Sequence, residues 1–302
     1  MIYIPNIMGS SIINNQHIST IFLCISLYFM IKSTTKSLLL SGIFLGVTQI
    51  LRPVAFIVII AFTIITIHQI ILEKNILKLS KKYIILILGF LFIVKGFDIA
   101  AMEYKIAPSP ISVSNAKYFK FVLGLKGSGI YNIATKNARE TQVYFDLRTL
   151  NFDYNKYNEK CIVTLHNLVK NYKSTGEFII DKMYHFTGDA DNQYYFALTP
   201  SQINSYIYEL VNIGNIQYAF LLIGTFIWLM VNLKKNGTDL DMLPILIIGF
   251  VTVHVFIETQ TRYRYEIYVF TDILTSKFLG DMVLKLRNIN IHAMKQKWIY
   301  LS

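Results

Sequence analysis

VAFIVIIAFTIITIHQIIL, residues Val54–Leu72, carries no Asp, Glu, Lys or Arg. About 20 such residues, rising 1.5 Å each, cross a hydrocarbon layer of about 30 Å. The stretch therefore predicts a transmembrane helix. Arg52-Pro53 breaks the chain just before it. Glu73–Lys82, with Lys74, Lys78, Lys81 and Lys82, closes it on the other side. Working outward, Ile18–Ile31 and Leu38–Leu51 precede it as apolar runs, and Tyr83–Val94 follows. Gly42 and Gly46 stand at small-xxx-small spacing, which permits close helix packing. Met1–Ile13 is short and interrupted by Pro5, Asn6 and Gly9; it reads as the tail of a membrane helix and a turn. Near the C-terminus come a span ending at Leu233, then Met242–Ile257 and Tyr265–Leu284. The last is diluted by Glu266, Asp272, Lys277 and Asp281, so it is expected to be buried against other helices or to end early.

Composition agrees. Of 302 residues, 54% are hydrophobic and 16% charged, whereas a soluble domain carries about 25% charged residues. The net charge of +11 does not imply nucleic-acid binding. Outside the central region most lysines flank apolar runs, where the positive-inside rule explains them. Lys32/Lys36, Lys74–Lys82, Lys234/Lys235 and the tail with Lys285, Arg287, Lys295 and Lys297 assign one side to the cytoplasm. The loops then alternate if seven segments cross and the N-terminus starts outside. The sequon Asn236-Gly237-Thr238 falls inside and is expected to be unused. Cys24 and Cys161 form no disulfide framework, and no signal peptide is expected.

The fold class that follows is an all-α multi-span membrane protein with a mainly helical extracytoplasmic insert of roughly 100 residues, far longer than an ordinary loop. Residues 1–100 form a first, incomplete set of membrane helices. Residues 101–202 form the insert, and residues 203–302 the last helices and a basic cytoplasmic tail. In the insert, Gly124–Gly129 matches no phosphate-loop spacing and reads as a tight turn. Asn158–Tyr172 fits an amphipathic helix with Cys161, Ile162, Leu165, Leu168, Val169 and Tyr172 on one face. That face packs on its own loop or lies on the membrane surface. Thr199-Pro200-Ser201-Gln202 starts a helix, with Pro200 at its first position and Gly214 as a point where it bends.

Glu258-Thr259-Gln260-Thr261-Arg262-Tyr263-Arg264 lies between the last two apolar runs. Each arginine at a bilayer centre costs roughly 2.5–3.5 kcal/mol, so the stretch belongs at a membrane face or a polar cavity. On a helix, Glu258 and Arg262 would be i,i+4 neighbours, as would Gln260 and Arg264. A planar guanidinium can clamp phosphate in a bidentate manner. The alternative is a charged helix end that pairs with itself. The histidines show no metal-ligand spacing, and no metal or Ser-His-Asp set is expected. His254, one turn before Glu258, reads as a packed or hydrogen-bonded side chain.

Three segments together resemble the GT-C membrane glycosyltransferases, in particular glycosyltransferase family 39 of the protein-mannosyltransferase and aminoarabinose-transferase type. Tyr3-x-Pro5 followed by Asn14-Asn15-Gln16-His17 is similar to the segment that opens a middle helix in that family. Gly42-Ile43-Phe44-Leu45-Gly46 with Leu51-Arg52-Pro53 resembles its helix pair, and Glu258-Thr259-Gln260-Thr261-Arg262-Tyr263 its C-terminal stretch. The resemblance implies transfer of a sugar from a polyprenyl-phosphate carrier to an extracytoplasmic glycan, lipid or protein acceptor, in a bacterial plasma membrane. No further cofactor is implied. Arg52, Glu258, Gln260, Arg262 and Tyr263 carry over as lipid-phosphate or substrate residues; Arg264 joins them by its neighbourhood alone. The family's acidic base lies in a first extracytoplasmic loop that is missing here, and Gln16 stands where the family often has Glu. The chain is therefore expected to be a fragment or an inactive member. Asp98, Glu103 and Glu258 are the remaining acids on the outer face, and none is assigned as base. The competing readings are a transporter or permease, with intramembrane charges lining a pathway, and a non-catalytic membrane sensor or partner.

Overall fold

A computed structural model describes residues 15–112, 116–125, 148–188, 198–232, 242–257 and 264–299. Among them every regular element is a helix: α1 (Asn15–Lys32), α2 (Thr35–Leu51), α3 (Ala55–Glu73), α4 (Ile76–Glu103), α5 (Phe119–Leu125), α6 (Tyr154–Lys170), α7 (Tyr172–Gly188), α8 (Pro200–Asn232), α9 (Met242–Phe256) and α10 (Tyr265–Ile299). Three are long and apolar enough to cross a membrane: α3, α4 and residues Ser205–Asn232 of α8. α2 and α9 are shorter apolar helices. Along α3, Phe56, Ile60, Ile64, Ile67 and Ile71 are all exposed and recur every three or four residues. They form one stripe, which in water would be a large apolar patch and in lipid is an ordinary outer face. The chain is a helical membrane protein.

The described residues fall into two compact units. The first holds those of 12–189 and 248–264, and the second those of 190–247 and 265–302. The described insert up to Gly188 groups with the first four helices.

In the first unit, local chemistry sets the helix ends. Thr34 and Ser37 form a capping box at the start of α2: the Ser37 N–H donates to Thr34 Oγ1 at 3.2 Å, and the Thr34 N–H donates to Ser37 Oγ at 2.8 Å. α2 stops at Arg52, whose backbone is extended before Pro53. Gln49 Oε1 then accepts the first N–H of α3, from Ala55, at 3.2 Å. α3 ends on Lys74 in the left-handed region (φ 53°), and Asn75 caps α4 by accepting the Lys78 N–H.

α2 is the centre of this unit, packed against both α1 and α4. The Gly42/Gly46 spacing works as expected. A Cβ on Gly42 would lie 2.9 Å from the Phe90 nitrogen and 3.1 Å from the Cα of Gly89, and one on Gly46 would lie 2.7 Å from Ile93 Cβ. Three glycines therefore let α2 and α4 approach backbone to backbone. Toward α1 the contact combines ring stacking of Phe22 and Phe29 on Phe44 with a buried polar pair. Ser26 Oγ donates to the Ser41 carbonyl at 2.9 Å, and both residues are fully buried. α3 joins the layer through Thr63 Oγ1 to Tyr83 Oη at 3.0 Å and the stacked rings of Phe62 and Tyr83.

α6 starts at Tyr154, four residues earlier than the sequence reading, because Asp153 accepts the N–H groups of Asn155 (3.0 Å) and Lys156 (3.2 Å). The Lys156 N–H, with Asn155 and the Lys156 charge, holds this exposed carboxyl below the usual range. The expected face of α6 is only partly realised. Tyr157 and Cys161 are buried, while Ile162 and Val169 are exposed, and Tyr172 opens α7.

In the second unit, α8 begins at Pro200 as its sequence suggests and runs unbroken through Gly214. It pairs with α10. The contact is built from Tyr218 edge-on to Tyr268 (centroids 5.2 Å apart) and Thr275 Oγ1 donating to the Leu221 carbonyl at 2.9 Å. Gly224 makes room, since a Cβ there would meet Thr275 Oγ1 at 2.7 Å. α10 does not end at Leu284. Glu266 is fully buried, Asp272 half-buried, and Lys277 and Asp281 pair on the exposed side at 2.8 Å.

Candidate phosphate-binding rim

Of the residues proposed from the sequence, Glu258, Gln260, Arg262 and Tyr263 lie outside the described residues. Arg52 and Arg264 are described. Arg52 sits half-buried at the corner between α2 and α3, with its N–H bonded to the Thr48 carbonyl at 2.8 Å. Asn15 meets the same corner: its Nδ2 donates to the Leu51 carbonyl at 2.7 Å. This bond brings the start of α1 to the Arg-Pro break, across 36 residues of sequence. Arg264 is buried, at 1% exposure, so its guanidinium is not open to solvent at a rim. Arg52 and Arg264 therefore occupy different environments.

α9 touches the same helix layer. A Cβ on Gly249 would meet Ile57 Cγ2 at 2.7 Å, and Ile57 is five residues beyond Arg52. At its far end α9 is held by a residue that sequence reasoning passed over. Lys182 of α7 has no exposed surface and directs its ammonium to three carbonyls: Gly124 at 2.8 Å, Val255 at 2.7 Å and Ile257 at 2.6 Å. An ammonium has three N–H donors, so all are used. The acceptors close α5 and α9, where helix carbonyls lack intrahelical partners and the helix dipole favours a cation. A Cβ on Gly124 would collide with the Ile257 backbone, so the α5 and α9 ends are in direct contact. Phe186 lies against His254 (ring centroids 5.6 Å apart), making His254 the packed side chain its position suggested. The insert thus grips the last residue described before the Glu258–Tyr263 stretch.

The two described acids that the sequence reading places on the outer face have separate fates. Asp98, in α4, is buried and held by Ser112, whose N–H donates to Oδ1 at 2.9 Å and whose hydroxyl donates to Oδ2. Lys95 Nζ is 3.8 Å away. This arrangement straps residues 104–112 back onto α4, so both carboxylate oxygens serve the fold. Glu103 is exposed one turn further along. Among the described residues no three His, Cys, Asp or Glu side chains group as metal ligands.

The sequence around Lys182, with Asp181 before it and Phe178, Ile179, Ile180, Met183 and Tyr184 nearby, marks a cation in an apolar stretch but does not disclose its partners. Comparison with known proteins adds nothing: no family model, curated protein or solved structure matches the chain.

Proposed function

We propose that this chain is a membrane protein of the glycosyl-transfer type that binds the phosphate of a polyprenyl-phosphate sugar carrier at one end of the α1–α4 layer. Arg52 and Arg262 supply the guanidinium groups, and Glu258, four residues before Arg262 in the sequence, is its orienting partner. The observation that carries the reading is the Asn15–Leu51 bond. It joins two of the three segments on which the family resemblance rests, and it joins them at the Arg52 corner. The Lys182 clasp supports it by fixing the backbone just before the third segment. Seven segments cross in this reading: α3, α4 and α8 as full spans, with α1, α2, α9 and α10 beside them. No residue is assigned as base: none of Asp98, Glu103 and Glu258 has a motif behind it, and Asp98 is engaged with Ser112.

The reading requires the insert to face away from the cytoplasm, where carrier-linked sugars are used. With Ser128→Cys in a cysteine-free background, a membrane-impermeant maleimide added to intact cells is expected to label the protein. Labelling only after the cytoplasmic side is opened would overturn the topology and the glycosyl-transfer reading with it.

A further inference from the structure

The helix layer has a second charged end. α1 ends at Lys32, two residues intervene, and α2 begins at Thr35 with Lys36 in its first turn. α3 ends at Lys74, and α4 begins with Lys78, Lys81 and Lys82 in its first two turns. α2 and α4 run parallel, since Gly42 faces Phe90 and Gly46 faces Ile93. Their starts therefore lie side by side. Lys82 confirms it by donating to Ser33 Oγ at 2.7 Å across 49 residues of sequence. Six lysines share this end, and Glu73 is the acid in the same two connections, Lys32–Lys36 and Glu73–Lys82. Five of the six are exposed, Lys82 being half-buried.

Positive-inside sorting accounts for the sign of these charges but not for what surrounds them. Ile71, Leu72, Ile76 and Leu77 are 60–88% exposed and stand directly beside Lys74 and Lys78. Ile31 and Leu39 are exposed beside Lys32 and Lys36. In a spanned bilayer these aliphatic side chains lie against acyl chains, which sets the neighbouring lysines at the level of the headgroups. A lipid meets both needs: its headgroup phosphate lies against ammonium groups and its acyl chains against the aliphatic rim. We infer that this lysine collar is a binding site for anionic phospholipid headgroups, centred on Lys36, Lys78 and Lys81. The inference rests on the membrane character of the chain and is independent of the glycosyl-transfer reading, which concerns the opposite end of the same helices.

The test is native mass spectrometry of the full chain in detergent, titrated separately with phosphatidylglycerol and phosphatidylcholine. Wild type is expected to retain phosphatidylglycerol in preference to phosphatidylcholine. Each lysine removed should weaken retention about fivefold, so Lys36→Gln/Lys78→Gln/Lys81→Gln should lose roughly a hundredfold. These three side chains are exposed, so the protein should still fold, and the same three changed to Arg should keep the preference. A variant of equal net charge, Lys156→Gln/Lys160→Gln/Lys170→Gln in α6, should keep it too. Excess inorganic phosphate should not displace the lipid. Equal binding of the two lipids, an unchanged preference in the collar variant, or an equal loss in the α6 variant would overturn the site. Full displacement by inorganic phosphate would make it a free-anion site and overturn it as a lipid site.

Discussion

Lys182→Met is expected to cost about 3 kcal/mol or more of stability, a larger loss than any other substitution proposed for this chain. Methionine fills the same space, but three carbonyls at the ends of α5 and α9 lose their donor. They must then reach water in a buried place or stay unsatisfied. Lys182→Arg should recover only part of the loss. A planar guanidinium cannot direct three N–H groups at carbonyls arranged around a point, as an ammonium does. The measurement is unfolding in mixed micelles by denaturant, run beside limited proteolysis of the insert. The clasp should fail locally first, so cleavage in the insert should rise before the α1–α4 layer unfolds. A methionine variant as stable and as protease-resistant as wild type would show that the three bonds do not hold the insert.

Gly42→Ala is expected to be the next most damaging change, at about 1–3 kcal/mol, although alanine is the better helix former. The added methyl would meet the Leu86 carbonyl and the Phe90 nitrogen, which are backbone atoms and cannot rotate away. α2 and α4 would have to separate, which would loosen the buried surroundings of Leu45 and Leu86 on these two helices. Gly96→Ala on the same α4 is the control. Nothing lies within 4 Å of a Cβ there, so the change should be neutral or slightly stabilising. Thermal melts of both variants decide the matter: similar melting temperatures for the two would rule out close backbone packing as the bond between these helices.

These two sites differ in how far the sequence disclosed them. The Gly42/Gly46 pair was legible because glycine four residues apart in an apolar run has few other uses. Its partner Gly89 was not singled out, since a lone glycine in Tyr83–Val94 carries no periodicity of its own. The breaks at Arg52-Pro53 and Pro200 were legible because proline constrains the backbone locally. Lys182 was not, because its three partners lie 58, 73 and 75 residues away and are backbone carbonyls, which every residue possesses. The same holds for Asp98. It was read as an outer-face acid, and its bond to Ser112 depends on how residues 104–112 turn back. The sequence reads Tyr265–Leu284 as a last span that is buried against other helices or ends early. Its acids are accommodated within a longer helix, with Glu266 buried and Asp281 paired to Lys277. At the candidate rim, the sequence named Arg52 and Arg264 alike as phosphate ligands. Burial separates them, leaving Arg52 at a helix corner and Arg264 inside.

The central claim is that the rim arginines bind a carrier phosphate, and Arg262→Lys tests it most directly. Lysine keeps the charge but loses the planar fork. Native mass spectrometry with a polyprenyl phosphate would be run on wild type and variant beside thermal melts. Full occupancy is expected in wild type and clearly reduced occupancy in Arg262→Lys at an unchanged melting temperature, with a milder loss in Glu258→Gln. Equal lipid occupancy in wild type and Arg262→Lys, with a clear drop in melting temperature, would contradict it and make Glu258 and Arg262 a structural clasp.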